Sequence, residues 1–176
     1  PTPTLFPLRY PAEDQAIAEY SVLQFGALGD GVTDDTNAFQ RAMWAAQDAG
    51  TLPSATSTLG GGVVFVPGNA TGPSRRHYKI SGRLYVPAMV TLRGDWQDPA
   101  TSGGSIGGSV IDIYEGRNDP NAIPFMTLGA CSAVRNLSFY YPDQHTSITS
   151  YPWCIQTQNI TDNHNVFNIA IINAFR

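Results

Sequence analysis

The chain has 176 residues, 42% of them hydrophobic and 14% charged, with a formal net charge of −4. That length suits one domain with a sizeable core, and that apolar content excludes a disordered chain. Lys79 is the only lysine and no basic patch interleaves with aromatics, which argues against a nucleic-acid partner; no apolar run approaches the roughly 20 residues needed to span a bilayer, which argues against a membrane one.

Charge is well below the usual quarter of residues, while Gly (17) and Pro (13) are frequent, a profile of short strands joined by turns rather than of a helical bundle. Residues 1–20 open proline-rich and are expected to form a lead-in arm to one domain over 21–176. Val22 to Phe25 is a short apolar run and is expected to be a strand. Gly26 to Gly31 holds three glycines and predicts a tight irregular bend, because glycine accepts positive φ without steric cost. Thr33-Asp34-Asp35-Thr36 supplies N-cap groups and first-turn carboxylates for a helix. Phe39, Ala42, Met43 and Ala46 fall at i, i+3, i+4 and i+7, a single apolar stripe, and Gly50 is its expected stop. The acidic cluster Asp30, Asp34, Asp35 does not have EF-hand spacing and is read as turn and cap, with no metal.

Val63 to Val66 then reads as a buried strand, four apolar residues between glycines and Pro67. Tyr78 to Ile80, Arg83 to Val86, Met89 to Leu92 and Val110 to Tyr114 continue the pattern, with a Gly/Ser-rich loop before the last. Alternation in that last strand turns Ile111 and Ile113 inward and Asp112 outward, as a solvated polar residue. Further on, Val134-Arg135-Asn136-Leu137-Ser138-Phe139 is echoed by Val166-Phe167-Asn168-Ile169-Ala170-Ile171, and Pro124-Phe125 by Pro152-Trp153. A repeat near 30 residues, built only of strand and turn, points to a β-solenoid in which Asn136 and Asn168 stack one coil apart as an amide ladder. The second pair of anchors aligns Cys154 with Met126, which separates it from Cys131, so two free thiols are expected rather than a disulfide.

Val22 to Thr36, Gly61 to Pro67, Tyr78-Lys79-Ile80 and Val90-Thr91-Leu92-Arg93-Gly94 together resemble the opening of the pectate-lyase-like (pectin lyase superfamily) right-handed parallel β-helix, as in rhamnogalacturonase/epimerase-like domains. Gln24 departs from that pattern, where an acidic residue is common, and the loop from Asn69 to His77 is longer than usual. The resemblance covers residues 20–95 and implies an all-β fold, a right-handed parallel β-helix with an N-terminal capping α-helix. It implies an extracellular or cell-surface enzyme that degrades polysaccharide, with glycoside hydrolysis favoured over lyase chemistry. The alternative is a non-catalytic carbohydrate-binding or structural β-helix. No cofactor is expected, calcium entering only for a lyase.

The segment Tyr140, Tyr141, Asp143, Gln144, His145, followed by Trp153, is the candidate sugar-contact surface: aromatic faces stack on sugar rings, and the polar side chains bond hydroxyls. His77 and His164 lack metal-ligand spacing and read as surface or turn residues. Ile171 to Arg176 carries no closing cap, so the open end is expected to pack against further coils or another chain, with catalytic groups beyond Arg176.

Overall fold

The computed structural model describes residues 19–49, 61–68, 76–96, 107–145, 148–158 and 163–174. The elements are β1 (Glu19–Ser21), β2 (Asp30–Asp34), α1 (Thr36–Ala49), β3 (Gly62–Val66), β4 (His77–Ile80), β5 (Leu84–Val86), β6 (Val90–Gly94), β7 (Val110–Ile113), β8 (Met126–Leu128), β9 (Ala133–Tyr140), β10 (Ile155–Thr157) and β11 (Asn165–Ile172). Every strand pairing among them is parallel.

The chain winds as a right-handed parallel β-helix with three faces. The first face stacks β1, β3, β6 and the opening halves of β9 and β11; the second stacks β2, β4, β7 and their closing halves; the third stacks β5, β8 and β10. Residues 133–135 pair with β6 while 138–140 pair with β7, so one strand crosses a corner. The corner is Asn136, at φ 60°, and one coil on it is Asn168, at φ 55°. Asparagine tolerates this left-handed conformation better than most residues with a Cβ. Its amide also joins the coils: Asn168 Nδ2 donates to Asn136 Oδ1 at 3.0 Å, the expected ladder. Opposite the bend lies Gly94, where a Cβ would stand 2.6 Å from the Asn136 carbonyl oxygen. Only glycine fits between these coils.

Alternate residues of each strand turn inward. Val64, Leu92 and Val134 from the first face, Tyr78, Ile80, Ile111, Ile113 and Phe139 from the second, and Leu84, Val86, Met126 and Leu128 from the third fill the interior. The N-terminal end of this stack is covered by α1, whose Phe39, Ala42, Met43 and Ala46 are fully buried. Phe39 meets the Tyr78 ring edge-on at 5.3 Å. Gln40 also binds the free edge of the third face, its amide donating to the Tyr85 carbonyl and accepting the Tyr85 N–H, both at 3.0 Å. An edge strand otherwise leaves those backbone groups open to pairing with another chain.

Three expectations change. Val22–Phe25 is a 3-10 turn, not a strand: Ser21 Oγ accepts the Leu23 N–H, Gln24 Oε1 accepts the Ser21 N–H, and Gly26 at φ 94° ends the turn. Gln24 is therefore half of a capping box. The stretch Asp30–Asp34, expected as bend and cap, is the edge strand β2, irregular in register against β4. Glu19 and Tyr20, at the end of the expected lead-in arm, pair through β1 with Val63 and Val64; residues 1–18 lie outside the described residues, as does Gly50. The repeat holds with Val134 opposite Val166, but Met126 pairs with Ile155, one residue later than the alignment to Cys154. Both cysteines are free, as expected.

Candidate functional site

The outward side of the second face carries the densest chemistry among the described residues. Because the strands are parallel and in register, side chains two residues apart recur in columns across the coils. One column reads Asp34, Lys79, Asp112, Tyr140, each opposite the next on adjacent strands. His77, two residues before Lys79 on β4, reaches diagonally to Asp112, its Nδ1 lying 3.0 and 3.1 Å from the two carboxylate oxygens. Asp112 is not the solvated residue expected: its side chain is 8% exposed, beneath His77 at 27%. The Tyr140 ring stands perpendicular to the His77 imidazole with centroids 6.5 Å apart. Lys79 Nζ sits 5.2 Å from the Tyr114 ring centroid. Burial, then the nearby Asp112 and Asp143 carboxylates, holds the Tyr114 phenol above its usual value.

The corner leaving this face adds a second acidic group. Pro142–His145 forms a 3-10 turn that presents Asp143. Its carboxylate accepts from the Tyr151 hydroxyl at 3.1 Å and pairs with Arg117 Nε at 3.2 Å. Burial and this carboxylate push the Tyr151 phenol up, so it stays protonated and keeps donating. Gln144 closes the loop on itself: Oε1 accepts the Thr149 N–H at 3.1 Å and Nε2 donates to the Thr149 carbonyl. Tyr141 is buried against Tyr151, ring centroids 4.7 Å apart.

The residues expected to touch sugar therefore separate. Tyr140 and Asp143 stand half-buried beside the polar column. Trp153 is 60% exposed, on a cavity of about 380 Å³ that it lines with Tyr141, Tyr151, Cys154 and Ile171. Tyr141 is committed to that packing and Gln144 to its loop, so neither offers the free face or amide expected of it. The His145 side chain lies outside the described residues, as does most of the Gly/Ser-rich loop.

Sequence reading set aside His77 and Asp112 and did not select Lys79, Tyr114 or Arg117. The available signal was His77-x-Lys79 in one strand and Asp112 one coil on, but only the register places them together.

The acids of the first turn do structural work. Asp30 accepts the Val32 and Thr33 N–H groups, Asp34 the Thr36 N–H, and Asp35 those of Leu28 and Gly29. Burial nonetheless raises the Asp35 carboxyl, against those two bonds. Among the described residues no group of three or more His, Cys, Asp or Glu side chains is placed to hold a metal ion.

A family profile described as rhamnogalacturonase A/epimerase, pectate lyase-like matches residues 20–173. Alginate lyase 7 of Azotobacter vinelandii is 34% identical over 98 residues, 56% of this chain and 9% of that protein. Mannuronan C5-epimerase AlgE5 of the same organism is 42% identical over 98 residues, 56% of this chain and 8% of that protein. The chain thus spans less than a tenth of these relatives' lengths. The A-module of mannuronan C-5 epimerase AlgE6, also from Azotobacter vinelandii, shares the fold with a TM-score of 0.56 at 22% identity, over 86% of this chain and 37% of that one. The expected preference for glycoside hydrolysis is corrected by these matches, which are to a lyase and to epimerases.

Proposed function

Because the chain belongs to the rhamnogalacturonase A/epimerase, pectate lyase-like family, we propose that it contributes to a carbohydrate-active β-helix enzyme that acts on a uronate polysaccharide by removing the proton beside the carboxyl group. Elimination and C5 epimerisation share that first step. It needs a cation near the carboxylate, so that charge spreading onto it is stabilised, and a group that takes the proton. The observation that carries the reading is the column Lys79, Asp112, Tyr140 with His77 alongside, continued at the corner by Arg117 and Asp143.

In this reading Lys79 and Arg117 face the uronate carboxylates, while Tyr140 and Asp143 contact the chain at the reacting sugar. Trp153 supplies an exposed aromatic face for a more distant sugar. Tyr141 and Gln144 hold the corner from behind. The acids nearest the column are already engaged, Asp34 with the Thr36 N–H, Asp112 with His77 and Asp143 with Arg117, and no step is assigned to calcium. A polymer of this kind is met outside the cell, and the proposal places the protein there.

The test incubates the protein with polymannuronate and with polygalacturonate in deuterated water. The ultraviolet absorbance of unsaturated uronates reports elimination, and deuterium at C5 in the product reports epimerisation. Either signal, abolished by Lys79→Met, is the expected result. Binding of the polymers with neither signal favours the non-catalytic carbohydrate-binding reading, and absence of binding overturns both.

A further inference from the structure

The buried carboxylate of Asp112 poses a question that the proposed reaction does not by itself answer. A carboxylate with 8% exposure needs donors, and the permanent cation nearest in register is Lys79, directly opposite on β4. Lys79 instead lies over the Tyr114 ring. The donor that meets Asp112 is His77, with both carboxylate oxygens within 3.1 Å of the same ring nitrogen. An ionised carboxylate only accepts, so Nδ1 carries the proton. In the neutral imidazole Nε2 then holds a lone pair. The ring is part-exposed on the outward face, and Tyr140 flanks it at right angles. A covered carboxylate, a histidine locked in one tautomer and an available second nitrogen form a built proton acceptor.

We propose that His77 is the proton acceptor of this site and that Asp112 is the positioning residue holding it in the Nδ1–H tautomer. The inference rests on the polyuronate reading above. In the step, the C–H bond beside the uronate carboxyl breaks, its proton passes to Nε2, and its electron pair remains on the carbon, delocalised into the carboxylate. The imidazolium so formed is stabilised by Asp112 and exchanges its proton with water; the carbanion then takes a solvent-derived proton at C5, or expels the C4 oxygen, which leaves with a proton as the hydroxyl of the departing chain. Nothing is oxidised or reduced.

Two measurements test this. In ¹⁵N NMR spectra of the protein, neutral His77 should appear as the Nδ1–H tautomer, and Asp112→Asn should turn it into a tautomer mixture or reverse it. In deuterium wash-in at C5 or release of unsaturated uronate, whichever the wild-type protein shows, His77→Gln should lower kcat by about 10²–10⁴-fold with KM little changed. Asp112→Asn should lower it less, and added imidazole should partly restore His77→Ala. A wild-type protein that gives neither wash-in nor unsaturated uronate on any polyuronate sinks the underlying reading and this one together. Either signal surviving His77→Gln, or a His77 found with Nδ1 unprotonated, overturns the assignment alone and leaves the polyuronate reading standing.

Discussion

At the scale of the residue, Asn136 and Asn168 show how one side chain sets a corner. Each holds φ near 60° and their amides join consecutive coils at 3.0 Å. Replacing Asn136 by Ala removes the amide bond and leaves a Cβ in the left-handed region without local compensation. We expect a loss of about 2–3 kcal/mol, combining about 1–2 for the backbone and about 1 for the bond. Asn136→Gly, which relieves the backbone but not the amide, should lose about half as much. Urea denaturation of the two variants measures the difference, and equal losses would show that the backbone conformation is not the cause. The ladder was legible in sequence because both asparagines sit in the same V-x-N-[LI] context one coil apart. Asp112 was misread because alternation gives a side chain's direction and says nothing about what covers it.

At the scale of the element, α1 does two separate jobs. Its apolar stripe closes the hydrophobic stack, and Gln40 satisfies the exposed edge of β5. Phe39 is fully buried, so Phe39→Ala should destabilise by about 3–5 kcal/mol through lost burial and the cavity left against Tyr78. A melting curve unchanged by that substitution would mean that α1 does not seal the core. The helix was legible because its 3.6-residue stripe is strong. The 3-10 turn before it was not: Val22–Phe25 is apolar enough for a strand, and the short-range pairing of Ser21 with Gln24 decided the matter. Gln24, seen as a departure from the family's acidic residue, serves that cap with its side-chain oxygen.

At the scale of the whole molecule, three stacked faces put some groups in the interior whatever their chemistry. Cys154 is buried, and burial raises its thiol to about 11, so almost none is thiolate at neutral pH. Cys131 lies exposed in the turn before β9. A thiol reagent at neutral pH should therefore modify Cys131 quickly and Cys154 only as fast as the coils open. Mass spectrometry of the native protein should show one label, and two after denaturation. Rapid double labelling of the native state would contradict the burial of Cys154 beside β10. The same stacking builds the candidate site, since Lys79, Asp112 and Tyr140 come from three different coils and meet only through register.

The sequence by itself determined the architecture. Valine-rich strands, glycine turns, a 30-residue repeat and an amphipathic helix are local patterns, and each is the physical cause of the element it predicts. The repeat also set Cys154 apart from Cys131, although the coil pairs Met126 with Ile155 and not with Cys154. Only the tertiary structure decided the site, because its geometry depends on which residue of one coil lies over which residue of the next. Connecting loops of unequal length separate His77 from Asp112 and Lys79 from Tyr140, so no fixed spacing announces them. Parallel hydrogen bonding sets their register, and burial makes a carboxylate and an imidazole into a pair.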